Sequence, residues 1–180
     1  MAKSKKKGKS SFLPFIGFLS FLFSVAAICF GFAPFITTKG SYSGADYGYL
    51  TGFQEAFGAT QKSGDGTPSW GIFADDSTLS EWVISPKVGL MIAFILIAVG
   101  ALFALLSVFC KKKRNATLLS LFLGGILMLA AGIMFFFPIS FGNYTGGLVN
   151  VSLGYGAIIS GILGILGGLF SLSAVIYSKI

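Results

Sequence analysis

Residues 110–116 read Cys110-Lys111-Lys112-Lys113-Arg114-Asn115-Ala116, and their reading decides the architecture of this chain. Four consecutive cations and an asparagine stand between two apolar runs, 88–110 and 116–137. Such a run is too short for a domain and too charged for hydrocarbon, so it is a tight turn at a membrane surface. Cytoplasmic loops carry an excess of Lys and Arg, which places this turn, residues 111–115, in the cytoplasm. Once it is fixed there, every other segment falls on a definite side.

Working outward, each flanking run approaches the roughly 20 apolar residues that a helix needs to cross a bilayer. Two more such runs stand nearer the ends, at 12–36 and 153–176. The composition agrees: of 180 residues, 54% are hydrophobic and 11% are charged. An ordinary globular chain carries about 25% charged residues, so a soluble domain is excluded. The expected architecture is an all-α membrane protein. It is a four-helix transmembrane bundle with a large extracytoplasmic loop, 37–87, between helices 1 and 2. A short outer loop, 138–152, joins helices 3 and 4, and both ends, 1–11 and 177–180, lie in the cytoplasm.

Charge distribution supports that layout. All six acids lie between Asp46 and Glu81, in the one large polar segment. The cations concentrate in the tail, with Lys5, Lys6 and Lys7 at its centre, and in Lys111, Lys112, Lys113 and Arg114. These groups set the topology, and they also suit anionic lipid, at roughly 1 kcal/mol per basic residue near the surface. The net charge of +7 does not imply nucleic acid, because the cations flank lipid-length segments instead of forming a folded basic face.

Small residues recur along the spans in steps of three and four. Gly17, Ser20, Ser24, Ala27 and Gly31 form one face of the first; Gly100 and Ala104 belong to such a face in the second. The last span carries Gly161, Gly164 and Gly168 on one side, with Gly156, Ser160, Gly167 and Ala174 on a neighbouring side. Membrane helices approach each other through small residues, so these faces are expected to be the helix-packing surfaces, with phenylalanines turned to lipid.

The outer segment holds both tryptophans and every acid. Leu50, Phe53 and Phe57 have helical spacing and suggest a short helix over 46–58. The Gly, Asp, Ser and Pro content of 61–69 indicates loop, and 70–73 suits a short strand. Thr78-Leu79-Ser80-Glu81 has capping-box spacing before Trp82, and Ser85-Pro86 reads as the start of the second span, with Pro86 its first helical residue. Asp65, Trp70, Asp75, Asp76 and Trp82 are the candidate recognition residues, for aromatic groups dominate protein interfaces and the acids have no reason to face lipid.

Chemistry is constrained by what the spans lack. A nucleophile needs a base, and a metal needs ligands. The chain has no histidine, and no acid lies within a span, so no catalytic, cofactor-binding or metal site is expected. Coupled carriers keep an ionisable group in the membrane, and none is present here. Cys29 and Cys110 fall at different depths, roughly 20 Å apart at ~1.5 Å per residue. They are therefore not expected to pair. The function expected is that of a non-enzymatic assembly, adhesion or accessory subunit, with a small transporter or channel component as the alternative. Its partners are the lipid bilayer and other membrane proteins met through the outer loop; homo-oligomers are left open. A lysine-rich chain without loop cysteines points to a bacterial inner membrane.

The order of basic tail, span, large loop, span, basic turn, span, short loop and span resembles the claudin-type tetraspan proteins over nearly the whole chain. That family carries a Gly-Leu-Trp motif and two cysteines in its first outer loop; here the corresponding stretch is Trp70-Gly71-Ile72-Phe73, and the loop has no cysteine. The resemblance implies a left-handed four-helix bundle capped by the first loop, and no specific activity.

Overall fold

The computed structural model describes residues 7–40, 46–61, 68–70, 82–84, 86–110, 113–141 and 149–179. Four long helices dominate: α1 (Lys7–Cys29), α3 (Val88–Phe109), α4 (Arg114–Met134) and α5 (Tyr155–Lys179). Each is long and apolar enough to cross a membrane. Around the bundle α3 lies between α1 and α4, and α5 closes the ring by packing on both α4 and α1. Neighbours run antiparallel. Ala27 near the end of α1 meets Ser160 near the start of α5, through a 2.8 Å bond from Ser160 Oγ to the Ala27 carbonyl. Phe12 and Tyr177 meet at the opposite end, with ring centroids 6.1 Å apart.

Small residues set the close approaches. Cβ atoms built on Gly100 and Gly124 would lie 3.1 and 3.0 Å from each other's carbonyl oxygen, so α3 and α4 meet backbone to backbone there. Gly132 of α4 faces Gly161 and Gly164 of α5 in the same way, and Gly125 faces Gly168. Without a hydrophobic drive between helices in lipid, such close packing is what holds a bundle together. The outward faces carry Phe15, Leu102, Leu119 and Leu169, all exposed, as lipid-facing side chains would be.

The bundle interior has two apolar clusters. The one at the cap end gathers Ala27, Phe35, Leu90, Phe94, Ile97, Ala131 and Phe135. The rings of Phe35, Phe94 and Phe135 stand 5.0–5.8 Å apart. The other joins Leu13, Ile16, Leu121, Ala174 and Val175.

Among the described residues, six short strands and a short helix lie in the connections. β1 (Pro34–Gly40) pairs antiparallel with β2 (Asp46–Thr51) on one side and with β6 (Val149–Leu153) on the other. Chain segments far apart in sequence therefore share one sheet. Thr37 and Ser152 add a hydroxyl contact of 2.7 Å across it. A register shift between Pro34 and Ile36 accompanies the burial of both Phe35 and Ile36, which strict alternation would send to opposite faces. The second sheet has β3 (Ala59–Gln61) between β4 (Pro68–Trp70) and β5 (Trp82–Ile84). Between β2 and β3 runs α2 (Gly52–Phe57).

Several local expectations need correction. The first span was expected to be helical from Phe12 to Ile36. Instead α1 starts at Lys7, and Pro14 lies inside it. At the far end the helix tightens into a 3-10 turn, Phe30–Phe32, and gives way to β1 at Pro34. Proline supplies no N–H to a helix and restricts the residue before it to extended conformations, and Ala33 is extended. The helix expected over 46–58 is half strand: β2 covers 46–51, and only 52–57 is helical.

The capping box is genuine but elsewhere. Thr51 Oγ1 accepts from the Gln54 N–H at 3.3 Å, and Gln54 Oε1 accepts from the Thr51 N–H at 3.0 Å. The run expected to follow a second box, Trp82-Val83-Ile84, is strand, and Thr78 to Glu81 lie outside the described residues. Pro86 precedes α3, which begins at Val88. Gln61, Pro68 and Ser69, expected in loop, belong to β3 and β4. The strand expected over 70–73 is met only at Trp70, and 71–73 lie outside the described residues.

Candidate functional site

Of the residues expected to pack helices, Gly17, Ser20, Ser24 and Ala27 on α1 and Gly31 in the 3-10 turn after it are all buried. A Cβ on Gly17 would collide with Ser107 Oγ, and one on Gly31 would meet the rings of Phe53 and Phe94 at 2.7–2.9 Å. Gly100 and Ala104 face inward on α3; Gly161, Gly164 and Gly168 do so on α5, together with Gly156, Ser160, Gly167 and Ala174. Buried serines also bond back within their own helices: Ser24 Oγ donates to the Ser20 carbonyl at 3.0 Å, and Ser107 Oγ to the Ala104 carbonyl at 2.6 Å. These hydroxyls serve packing.

At the end remote from the α3–α4 turn, the strands bring two of the candidate recognition residues into one sheet. Trp70 on β4 lies opposite Ala59, and Trp82 on β5 lies opposite Gln61, so the two occupy the outer strands on either side of β3. Asp65, Asp75 and Asp76 lie outside the described residues.

The same end contains a feature that the sequence reading missed. Gln54 and Glu55 of α2 are buried, Glu55 completely. The backbone N–H of Lys87, just before α3, donates to the Glu55 carbonyl at 2.9 Å and ties α2 to the start of α3. The helical spacing of Leu50, Phe53 and Phe57 suggests a short helix here. The structure turns Gly52, Gln54, Glu55 and Ala56 inward and leaves Phe57 exposed. Phe53 lies at the margin, stacked on Phe94 at 4.6 Å and packed against Phe32 at 4.5 Å. Where the surroundings are lipid, an apolar stripe no longer identifies the inward face. The usable signal was the Thr51-x-x-Gln54 box, which starts a helix on which Glu55 falls in the first turn.

The opposite end carries the cations. Lys113, Arg114 and Asn115 are exposed and line, with Ala116, an open hollow at the start of α4. Arg114 donates from its guanidinium to the Ser178 carbonyl in the last turn of α5. Thr117 Oγ1 donates to the Cys110 carbonyl at 2.9 Å and closes the turn. Lys7 is the first residue of α1; Lys5, Lys6, Lys111 and Lys112 lie outside the described residues. Cys29 is exposed on α1, Cys110 is half-buried, and neither is in a disulfide.

A ring of four antiparallel, membrane-length helices with strands and a buried carboxylate at one end and exposed cations at the other defines a multi-pass membrane protein of the four-helix-bundle class. No protein-family model, curated protein or solved structure matches the chain.

Proposed function

We propose that this is a non-enzymatic membrane protein, an assembly, adhesion or accessory subunit whose strand-bearing end recognises another membrane protein. The observation that carries the proposal is the folded cap. Two three-stranded sheets and a capped, buried helix are more than a connection between two spans requires. Both tryptophans lie on these strands, and Asp46 and Glu55 belong to β2 and α2. The bundle below is closed by backbone-to-backbone glycine contacts, which suit a scaffold. In this reading the cap is extracytoplasmic, both termini are cytoplasmic, and the membrane is a cell membrane, with a bacterial inner membrane as the best fit. The likeness to claudin-type tetraspans lies in the same plan of bundle and cap.

The test is to replace residues 62–76 with a Gly/Ser linker and to compare both proteins after gentle extraction from native membranes. Insertion and thermal stability of the altered protein should stay close to those of the parent, while the complexes formed by the parent should be lost. Retention of the same partners would move recognition to the lipid-facing helices. Solute flux through liposomes bearing the purified protein would contradict the accessory role and favour a channel or transporter component.

A further inference from the structure

We infer that α2 lies in the membrane interface, with Phe53 and Phe57 against the acyl chains of the leaflet on the cap side. The helix is inside out for an aqueous setting. Its polar side chains, Gln54 and Glu55, are 5% and 0% exposed, while Phe57 is 39% exposed. A helix on a water-facing surface turns its apolar stripe to the core and its charged residues outward. Where the medium outside is hydrocarbon, an acid turns to the protein interior and a phenylalanine ring turns away from it.

Depth agrees. With 22 residues, α3 is about 33 Å long at 1.5 Å per residue, against a hydrocarbon thickness of ~30 Å. The exposed Lys113 and Arg114 keep the far end of the bundle at a polar surface, so only about 3 Å of α3 stands clear of hydrocarbon at the cap. Phe94 lies six residues after Val88, about 9 Å along that helix. α2 is seated at this level. The Phe53 ring stacks on Phe94 at 4.6 Å, and a Cβ on Gly52 would meet the Phe35 and Phe94 rings at 2.8–2.9 Å. α2 therefore lies beside the first two turns of α3 and not on top of them. The Phe94 side chain leans toward the start of its helix, so the rings meet near the boundary of acyl chains and headgroups, where amphipathic helices rest.

On the outer side these rings continue a surface that belongs to the spans. Phe32, the last residue of the first membrane-length stretch, is 58% exposed and packs on Phe53 at 4.5 Å. Phe53 stacks in turn on Phe57 at 6.3 Å.

The backbone of α2 is also suited to an apolar setting, which offers no partners to the N–H and C=O groups at helix ends. Thr51 and Gln54 satisfy each other's N–H through their side chains, and the Lys87 N–H donates to the Glu55 carbonyl. Glu55, which belongs to no span, is thus held at membrane depth on the protein side of α2.

The experiment uses the full chain in nanodiscs of phosphatidylcholine, in a background with Cys29 and Cys110 replaced by Ala. Nitroxide labels are carried by Phe57→Cys, by Ile92→Cys on the exposed face of α3, and by Asn115→Cys in the polar turn. Collisions with oxygen, which concentrates among acyl chains, are compared with collisions with a water-soluble nickel chelate. The oxygen-to-nickel ratio in Phe57→Cys should exceed unity and approach that in Ile92→Cys, while in Asn115→Cys it falls below unity. A ratio below unity in Phe57→Cys would overturn the inference and put this face in water. Raising the number of copies per disc should leave the Phe57→Cys spectrum unchanged; dipolar broadening would give the face to a second copy and overturn the inference as well.

A second measurement needs no substitution. Phosphatidylcholine with a diazirine near the carbonyl end of its acyl chain should, on illumination, leave adducts on residues 52–57 of the unmodified protein. Adducts on α3 without any on 52–57 would contradict the inference.

Discussion

Gly164→Leu is expected to lower the stability of the purified protein by about 1–3 kcal/mol or more, the range of overpacked cores. Ile165→Leu, one residue on, should stay near the parent. Gly164 is buried in the seam between α5 and α4, and a Cβ there would lie 2.9 Å from the Gly132 Cα and 3.2 Å from its N. Backbone atoms cannot rotate away, so the two helices would have to separate. Their separation would also disturb Ile97 of α3, 3.4 Å from the same point. Ile165→Leu conserves volume at a half-buried position. Thermal unfolding in one detergent, read for both variants, checks the pair. Equal midpoints would mean that α4 and α5 do not meet through this glycine.

Gly154→Ala should be at least as damaging, although it adds a single methyl group. Gly154 sits between β6 and α5, and its N–H donates to the Phe35 carbonyl at 2.7 Å. A Cβ there would collide with the Pro34 carbonyl oxygen and lie 2.9 Å from the Phe35 carbonyl carbon. Every obstructing atom belongs to the backbone of β1, so the strand must move or the bond must break. The expected cost is about 2–4 kcal/mol, a size reserved for steric or buried-polar failures. Ser152→Ala, two residues earlier on β6 and exposed, removes only the contact to Thr37 and should cost roughly 1 kcal/mol. Hydrogen exchange at β1 and β6 separates the two cases: Gly154→Ala should release both strands, and Ser152→Ala neither. Unchanged protection in Gly154→Ala would show that the cap is not fastened to the bundle at this point.

The contrast between these positions and the cap explains what was legible in the sequence. Faces built from steps of three and four residues follow directly from helical periodicity. Every residue on the expected face of the first span, from Gly17 to Gly31, is buried. The number of spans followed from length and apolarity alone. The cap was not legible for two physical reasons. Its main sheet joins Pro34–Gly40 to Val149–Leu153, and a pairing across so much chain leaves no local pattern. Hydrophobicity also points the wrong way near lipid: Phe57 is exposed while Glu55, three residues after Gly52, is buried.

Two short motifs illustrate how local signals compete. Thr51-x-x-Gln54 and Thr78-x-x-Glu81 both have capping-box spacing; the first caps α2, and among the described residues the run after the second, 82–84, is strand. The Trp82-Val83-Ile84 run that follows the second is aromatic and β-branched, and it pairs with β3 as strand. Of the candidate recognition residues, only Trp70 and Trp82 fall among the described residues, and pairing, not spacing, brings them into one sheet.

The most direct test of the whole account is the side of the membrane on which each end lies. In a background with Cys29 and Cys110 replaced by Ala, single cysteines at Ser4, Ser63 and Asn115 would be exposed to an impermeant thiol reagent in intact cells. The account predicts labelling at Ser63 alone, with Ser4 and Asn115 reacting only after permeabilisation. Labelling of Asn115 in intact cells would contradict it, because the orientation of the cap and of the cation-bearing end both rest on that turn.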